Sequence, residues 1–310
     1  MLRSVLVAAS RQPWLKQAAL SLPMTNAMIN SYVAGDDIDD AVATAGRLHA
    51  AGLMISIDRL GEDVTEAAQA DQATAAYVDL LAALARTGLT GTAEVSVKLS
   101  ALGQQLATDT GTDPAADNLR AICLAAETLR TTVTVDMEDH TRLDDTLATV
   151  TEVRRRHPDL GVVLQAYLHR SEADCRELAV AGSRVRLCKG AYDEPPEVAI
   201  TDRHQVDLSY VRCLRELMRG DGYPMVATHD PRLIEIAQDL AIRYDRGPGD
   251  FEFQMLHGVR PREQARLVNA GHRVRVYLPY GTDWYGYLVR RMAERPSNLL
   301  LFLRSLVQRG

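Results

Sequence analysis

The chain has 310 residues, 46% of them hydrophobic and 25% charged, which are ordinary proportions for a globular protein. Its formal net charge of −6 gives no basic footprint for nucleic acid, and no apolar run is long enough to span a bilayer. The four cysteines lack C-x-x-C spacing, which favours reduced thiols over disulfides or a zinc site. The N-terminus has no full signal-peptide layout, so we expect a cytoplasmic protein that can still touch the inner face of a membrane.

A β-type run followed by a helical stretch recurs along most of the chain. The runs cover residues 53–58, 93–99, 132–138, 161–168, 184–190, 223–230, 251–258 and 272–281. Eight units are the number of a (βα)8 barrel, in which intervening helices make the strands parallel. We therefore predict an α/β, TIM-type barrel over residues 51–310, with residues 1–50 forming extra N-terminal helices packed on it within one domain.

Helical patterns lie between these runs. Tyr77 and Leu84 begin and end one stretch of apolar residues at i, i+3, i+4 and i+7 spacing. The segment "SEADCRELAVAG" predicts a helix that opens with Ser171 as its cap and ends on Gly182.

Several of the β-type runs alternate between apolar and polar residues, whereas parallel strands are usually apolar on both faces. In "AEVSVKL" the polar residues are Glu94, Ser96 and Lys98, and "TVTVDME" and "RVRLCKG" alternate in the same way. The apolar faces can pack on the outer helices, so the polar faces must line the barrel lumen. Because unpaired buried charges are costly, the lumen must hold a polar ligand, water or a closed ion-pair network.

Barrel enzymes collect their chemistry at the C-terminal ends of the strands. The candidates at these positions are Lys98, Asp136, Gln165, Arg186, Lys189, Thr228 and His229. Each also has a structural interpretation: Lys98 could extend its ammonium to solvent, Gln165 could satisfy a backbone group, and His229 could support a neighbour by a hydrogen bond.

The local motifs narrow the chemistry. "VDMEDH" could be a metal site, but no second histidine stands at ligand spacing. "KGAY", residues 189–192, would let a flat or phosphorylated ligand approach the backbone, with Lys189 as counter-charge. The chain has no G-x-G-x-x-G, no Walker A motif and no G-x-S-x-G, so a Rossmann dinucleotide site and a serine nucleophile elbow are not expected.

The stretch "YGYLVRRMAERPSN" places Tyr287, Arg290, Arg291 and Glu294 on one helix face. They could form a solvated surface with an Arg290–Glu294 pair. Alternatively, the two arginines could converge with Lys98 on one carboxylate, because guanidinium groups make planar, charge-assisted bonds.

Tyr277 and Tyr287 could then wall an apolar ring beside that carboxylate. Such a pocket suits a small cyclic amino acid.

Taken in order, "VSVKLSALG", "VDMED", "LQAYL", "RLCKGAY", "ATHD", "FEFQMLHG" and "YLVRRMAERPSN" resemble the bacterial monofunctional proline dehydrogenases. The resemblance implies a distorted (βα)8 barrel that binds FAD without a Rossmann motif. It also implies oxidation of L-proline to Δ1-pyrroline-5-carboxylate by hydride transfer from proline C5 to flavin N5, with electrons passed to a quinone, as the first step of proline catabolism to glutamate.

The resemblance also implies residue roles. The proline carboxylate would be bound by Lys98, Arg290 and Arg291. Asp136 and Arg186 would be the catalytic pair near the flavin. The proline pocket would be completed by Tyr277, Tyr287, Leu256 and Glu294, the last holding the helix that carries the arginines. FAD would be contacted by Met137, Gln165, Arg186, Lys189, Gly190, Ala191, Thr228 and His229.

The chain departs from its bifunctional relatives in two places. They have an aromatic residue after the "KGAY" tyrosine, where this chain has Asp193 followed by "EPPE". The chain also ends at Gly310 without an aldehyde dehydrogenase, so we expect a separate pyrroline-5-carboxylate dehydrogenase to take the next step.

Three other interpretations compete with this one. One is a different flavin barrel, such as a methylenetetrahydrofolate reductase, although a folate pocket would not need three cations on one carboxylate. Another is a metal-dependent hydrolase built on Asp136, Asp139 and His229, and the third is a non-catalytic binding barrel. The terminal stretch "PSNLLLFLRSLVQRG" could either pack on the protein or meet a membrane surface near the quinone.

Overall fold

A computed structural model describes residues 31–106 and 113–288. Eight parallel strands close into a barrel in chain order, with β1 pairing to β8. The strands are β1 (Met54–Arg59), β2 (Ala93–Val97), β3 (Val133–Val135), β4 (Gly161–Gln165), β5 (Arg184–Cys188), β6 (Tyr223–Ala227), β7 (Glu252–Leu256) and β8 (Val274–Tyr280). The predicted TIM-type barrel is confirmed. Several strands end earlier than the β-type runs in the sequence, because the polar residues that follow them belong to loops at the C-terminal mouth.

One helix precedes the first strand, the others follow strands, and together they surround the barrel. They are α1 (Ile38–Ala50), α2 (Ala67–Arg86), α3 (Pro114–Thr128), α4 (Leu143–Arg154), α5 (Ser171–Leu178), α6 (Arg203–Arg219), α7 (Pro231–Arg243) and α8 (Pro261–Asn269). Short 3-10 turns cover Leu99–Leu102 and His140–Arg142, and residues 284–288 are helical. In the parts of the chain just described, no helix has the length and hydropathy needed to cross a bilayer.

Aspartates begin many of these helices. Asp37, Asp113, Asp202 and Asp230 each accept a hydrogen bond from a backbone amide of the first helical turn. These bonds satisfy amides that have no partner within the helix, and they fix where α1, α3, α6 and α7 start.

The prediction for the helix after β4 was wrong at both ends. Ser171 is the first helical residue rather than the cap, and its hydroxyl donates to the Gln165 carbonyl oxygen at 2.6 Å. The helix ends at Leu178, before Gly182. The serine is drawn inward because the end of β4 offers it a buried acceptor.

The strands meet the helices through one apolar core. Ile55, Ile57, Val95 and Val97 are fully buried and belong to the same cluster as Leu80 of α2. Alternate residues of β1 and β2 therefore point outward, as the sequence pattern predicted. The polar residues between them are left to line the lumen.

The N-terminal boundary is described only in part. The chain before α1 joins the barrel by two backbone bonds, from Ala34 N to Pro279 O and from Gly281 N to Gly35 O, each 2.9 Å. Residues 1–30 lie outside the described residues, so the division into a helical arm over 1–50 and a barrel over 51–310 stays a prediction.

Candidate active site

The N-terminal half of the lumen holds a closed set of charges, which we call the basal network: Glu94, Arg184, Glu252 and Arg275. Arg184 Nη2 donates to Glu94 Oε2 at 2.6 Å. Arg275 bonds both oxygens of Glu252, at 2.7 and 3.0 Å. Tyr223 adds a 3.2 Å hydrogen bond to Glu252. The predicted polar lumen is thus closed by internal ion pairs at this end.

Glu94 is the centre of the basal network. Its carboxylate also accepts hydrogen bonds from Ser56, Thr132 and Thr134, at 2.9 to 3.1 Å. Burial would raise the pKa of this carboxyl, but the surrounding arginines outweigh burial and hold it well below its usual range. A buried charge with this many donors is fully compensated, so the basal network has a structural role.

The C-terminal half of the lumen holds a second group, which we call the upper site: Asp58, Lys98, Asp136, Arg186 and Tyr277. Arg186 Nη1 donates to Asp136 Oδ1 at 2.6 Å, and the Tyr277 hydroxyl donates to Asp136 Oδ2 at 2.6 Å. The Arg186 guanidinium also lies 5.4 Å from the centroid of the Tyr277 ring. The predicted catalytic pair is thus a bonded pair, with Asp136 directly after β3 and Arg186 in β5, and Tyr277 of β8 holds the carboxylate from a third strand.

Tyr277 is fixed as a hydrogen-bond donor. Burial, and next the negative charges of Asp136 and Asp58, raise the pKa of its phenol well above the usual value. The hydroxyl therefore keeps its proton and holds the Asp136 carboxylate in one orientation.

Lys98 lies at the end of β2 and pairs with Asp58 of β1. Its Nζ is 2.8 Å from both carboxylate oxygens, and only 8% of the residue is exposed. Burial would lower the pKa of Lys98, but Asp58 and Asp136 outweigh it and raise that pKa well above the usual value. Lys98 is therefore a cation whose charge Asp58 already balances.

Arg186 retains one unused donor. Its other two nitrogens bond Ser56, Ser96, Glu94 and Asp136, whereas Nε is buried and has no hydrogen-bond partner among the described residues. An unpaired buried N–H costs roughly 1–3 kcal/mol, so such a group signals a missing acceptor.

The loop after β5 carries the predicted "KGAY" turn. Gly190 has φ +111°, a conformation that favours glycine, and a Cβ atom there would lie 2.3 Å from the Tyr167 ring. Lys189 Nζ lies 2.5 Å from Asp207 and 3.3 Å from Asp230. The predicted counter-charge is thus shared with two carboxylates, and Ala191 follows as a half-buried residue.

The remaining predicted flavin contacts lie at the ends of the neighbouring strands. Gln165 is buried and donates from Nε2 to the Glu138 carbonyl oxygen at 2.7 Å, so its structural interpretation is realised. Met137 is buried in the loop after β3, and the Thr228 hydroxyl accepts from Asp230 N at 3.1 Å.

His229 has a defined proton position. Its Nε2 accepts the Leu256 backbone N–H at 2.9 Å, so the neutral ring must carry its proton on Nδ1. This bond ties the end of β7, where Leu256 lies, to the loop after β6.

The upper site opens into a cavity of about 350 Å³ that is lined by Leu60, Gly61, Glu62, Lys98 and Asp283. A larger cavity of about 700 Å³ lies at the opposite, N-terminal mouth beside the basal network. The smaller cavity is the one that reaches the predicted substrate lysine. Tyr287, which is close to Asp283 in the sequence, is buried. Arg290, Arg291 and Glu294 lie outside the described residues.

The residues of the metal-hydrolase interpretation do not form a ligand set. Asp136 already accepts bonds from Arg186 and Tyr277, and Asp139 caps the turn at Thr141. His229 Nε2 is used by Leu256. Within residues 31–106 and 113–288, no group of three or more His, Cys, Asp or Glu side chains could hold a metal ion.

Sequence reasoning missed Asp58, which is 1% exposed and pairs with the predicted substrate lysine. The signal was available, because Ser56 and Asp58 alternate with Ile55 and Ile57 in β1. The alternation that places Glu94, Ser96 and Lys98 in the lumen places Asp58 there as well.

Comparison with known proteins identifies the family. The family model for proline dehydrogenase matches residues 41–300. Proline dehydrogenase 1 of Bacillus subtilis is 36% identical over 309 residues, covering 100% of both chains. Proline dehydrogenase of Deinococcus radiodurans is 36% identical over 310 residues, covering 99% of this chain and 98% of that protein.

Among solved structures, proline utilization A of Bdellovibrio bacteriovorus superposes with a TM-score of 0.81 and 25% identity. The match covers 92% of this chain but only 34% of that longer chain. Together with the full-length relatives and the closed barrel, this places the chain in the proline dehydrogenase family.

Proposed function

We propose that the chain oxidises L-proline to Δ1-pyrroline-5-carboxylate with FAD as its cofactor and a quinone as the final electron acceptor. The observation that carries this proposal is the full-length similarity to proline dehydrogenases, combined with the bonded Asp136–Arg186–Tyr277 group at the C-terminal mouth. FAD, when bound, would supply the redox chemistry by accepting the hydride from proline C5 at its N5.

The residues at the mouth fit a flavin. Arg186 Nε is a buried donor that needs an acceptor, and the flavin ring system offers acceptor atoms. The left-handed turn at Gly190 packs its Cα against the Tyr167 ring, so a ligand would approach the backbone of the loop after β5 from the side away from that ring. We propose that this loop, with Thr228, His229, Gln165 and Met137 on adjacent strand ends, would hold the cofactor.

The charge balance of the upper site supports a role for two more arginines. Asp58 neutralises Lys98, and Asp136 neutralises Arg186, so these four side chains carry no net charge together. A proline carboxylate would find no excess positive charge there. We propose that Arg290 and Arg291 supply that excess and, together with the remaining donor of Lys98, fix the carboxylate so that C5 faces the flavin.

The side chains of the upper site would then act by position and charge. Arg186 would stabilise negative charge that develops on the cofactor, and Asp136 would hold Arg186 in place through its 2.6 Å bond. Tyr277 and Tyr287 would border the proline ring, Leu256 would form the wall that faces the flavin, and Glu294 would steady the helix of the arginines.

Two partners complete the proposal. The electrons would pass to a membrane quinone, and a separate pyrroline-5-carboxylate dehydrogenase would oxidise the product. The apolar terminal stretch after residue 295, which lies outside the described residues, could bring the enzyme to the membrane surface. Cosedimentation with anionic vesicles at low salt would test that contact, and absence of binding would favour packing on the protein instead.

The deciding experiment uses the purified chain. We expect a yellow protein with about one FAD per chain. L-proline added without oxygen should bleach the flavin absorbance with no NAD present, and a soluble quinone should restore it. A colourless protein that takes up no FAD on reconstitution would contradict the proposal.

A further inference from the structure

The loop after β5 continues from "KGAY" into "DEPPE", and backbone hydrogen bonds just beyond that segment join the loop to the barrel. We call residues 189–200 the β5 loop. His169 N donates to Val198 O at 3.0 Å, and Ile200 N donates to Tyr167 O at 2.7 Å. Leu168 and Ala199 form an isolated antiparallel bridge. The far end of the β5 loop is thus fixed to the segment that follows β4.

One side chain ties the near end. Glu194 is flanked by exposed residues, yet its own side chain is only 4% exposed. Its Oε1 accepts the His140 backbone N–H at 2.9 Å, and its Oε2 contacts His140 Nδ1. Glu194 therefore joins the β5 loop to the loop after β3, through both the backbone and the side chain of one residue.

Glu194 also reaches the residue that packs on Gly190. The Tyr167 hydroxyl donates to Glu194 Oε1 at 3.3 Å. Burial, and next the Glu194 charge, raise the pKa of this phenol, so it stays a donor. The Tyr167 ring fills the space where a Gly190 side chain would stand. The position of that ring and the left-handed turn at Gly190 therefore depend on each other.

We propose that Glu194 is a positioning residue that holds the backbone of residues 189–191 in the conformation that receives the flavin. It does so by joining the loop after β3, the Tyr167 ring and the β5 loop in one hydrogen-bonded unit. This inference rests on the proposed function, because it assigns the β5 loop to FAD.

The test compares variants by their affinity for FAD. In Glu194→Ala the His140 and Tyr167 bonds are lost, and we expect the dissociation constant for FAD to rise by at least about tenfold. Glu194→Gln keeps an acceptor oxygen for His140 N and Tyr167, so it should stay within about threefold of the wild type. Glu197→Ala, an exposed change in the same loop, should bind FAD like the wild type.

Further measurements separate positioning from general stability. At saturating FAD, kcat and the KM for proline should stay near wild-type values in Glu194→Ala, since no substrate contact is removed. Amide hydrogen exchange in residues 189–200 of the FAD-free protein should be faster in that variant, with the strands unchanged. If Glu194→Ala does not fold, His140→Ala removes the partner side chain, which is one-third exposed, and should weaken FAD several-fold.

The outcomes are distinct. A wild type that binds no FAD would overturn the proposed function and this inference together. A wild type that binds FAD, with Glu194→Ala as tight as Glu197→Ala, would overturn this inference alone. Equal losses in Glu194→Gln and Glu194→Ala would also overturn it, because they would assign the effect to the charge of Glu194 instead of its hydrogen bonds.

Discussion

The two halves of the barrel lumen are lined by the same kinds of charged side chain, but they differ in how completely those charges are used. In the basal network Glu94 receives bonds from several strands, and Glu252 receives both a bidentate arginine and a tyrosine. In the upper site the charges balance, but Arg186 Nε has no acceptor among the described residues.

This difference separates structural from functional polarity. A buried charge that is fully paired does not need a ligand. Removing one partner leaves the other charge buried without compensation, which strongly destabilises the fold. A buried donor without a partner can be satisfied by a ligand that supplies an acceptor. The basal network therefore holds the barrel together, whereas the upper site keeps a buried donor for a ligand, which the proposed function assigns to the cofactor.

The largest effect should come from breaking the basal network. Glu94→Ala would leave Arg184 and Arg275 without a shared counter-charge inside the barrel. We expect the free energy of unfolding to fall by roughly 3–5 kcal/mol, as for other broken buried pairs. Denaturant unfolding would measure the loss, with the exposed Glu235→Ala as control. A loss as small as that of the control would show that the network does not support the fold.

The next effect concerns the Asp58–Lys98 pair. It belongs to the upper site, but its two charges neutralise each other as those of the basal network do. Asp58→Asn keeps the shape but leaves the buried Lys98 ammonium with less compensation, and we expect a loss of about 3 kcal/mol in unfolding free energy. The affinity for proline should not fall, because Asp58 competes with the substrate for the ammonium. Unfolding and the KM for proline should be measured beside Asp71→Asn, an exposed control. A weakened affinity with unchanged stability would reverse this assignment.

A smaller effect is expected from Arg290 and Arg291, which we propose as the arginines that complete the upper site. Each charge-assisted bond to the proline carboxylate should contribute roughly 1.5–3 kcal/mol. Arg290→Met and Arg291→Met should therefore each weaken proline by about one to two orders of magnitude, with bound FAD nearly unchanged. Arg→Lys should restore this only in part, because a point charge lacks the bidentate fork.

The matched control is Arg262→Met, on the exposed face of α8. Wild-type kcat/KM for L-proline in both Arg290→Met and Arg291→Met would mean that these arginines form an ordinary helix surface. In that case their loss should cost less than about 1 kcal/mol of stability.

The smallest effect is a pH dependence at Asp230, which caps α7 and pairs with Lys189. Burial opposes its ionisation, but Arg232 and Lys189 lower its pKa from the usual 3.8 to about 2. Since the folded-state pKa is the lower one, the carboxylate stabilises the fold above about pH 4, and that contribution disappears as the pH falls towards 2.

Asp230→Asn should therefore flatten the fall of Tm over this acid range and leave a lower Tm near neutral pH. Asp239→Asn, exposed on the same helix, should keep the wild-type profile. Parallel acid profiles for wild type and Asp230→Asn would show that the Asp230 carboxylate, with its partners Arg232 and Lys189, contributes nothing to the fold.

The sequence predicted the barrel because β-type runs and the helical patterns between them are local signals, and the alternation within a run predicted the polar lumen. Glu94, Ser96 and Lys98 could be placed in the lumen from the period of one strand. Which charges pair there could not be predicted, because Arg184 lies 90 residues from Glu94, and their contact depends on the register and shear of the closed sheet. The same limit hid the pairing of Asp58 with Lys98 of the neighbouring strand, although the alternation of β1 by itself places Asp58 in the lumen. The role proposed for Glu194 depends on contacts among the loops after β3, β4 and β5, and a motif within one loop cannot predict such contacts.

The most direct test of this division compares one matched variant from each half of the lumen. Glu252→Gln and Asp136→Asn each replace one buried carboxylate by its amide, and the rate of flavin reduction by saturating L-proline is measured without oxygen, at a temperature where both remain folded. Glu252→Gln should reduce its flavin within about twofold of the wild-type rate. Asp136→Asn should be slower by at least about tenfold, because it loses a charge-assisted bond that holds Arg186. Equal losses in the two variants, or a slower Glu252→Gln, would contradict the division between a structural base and a catalytic upper site.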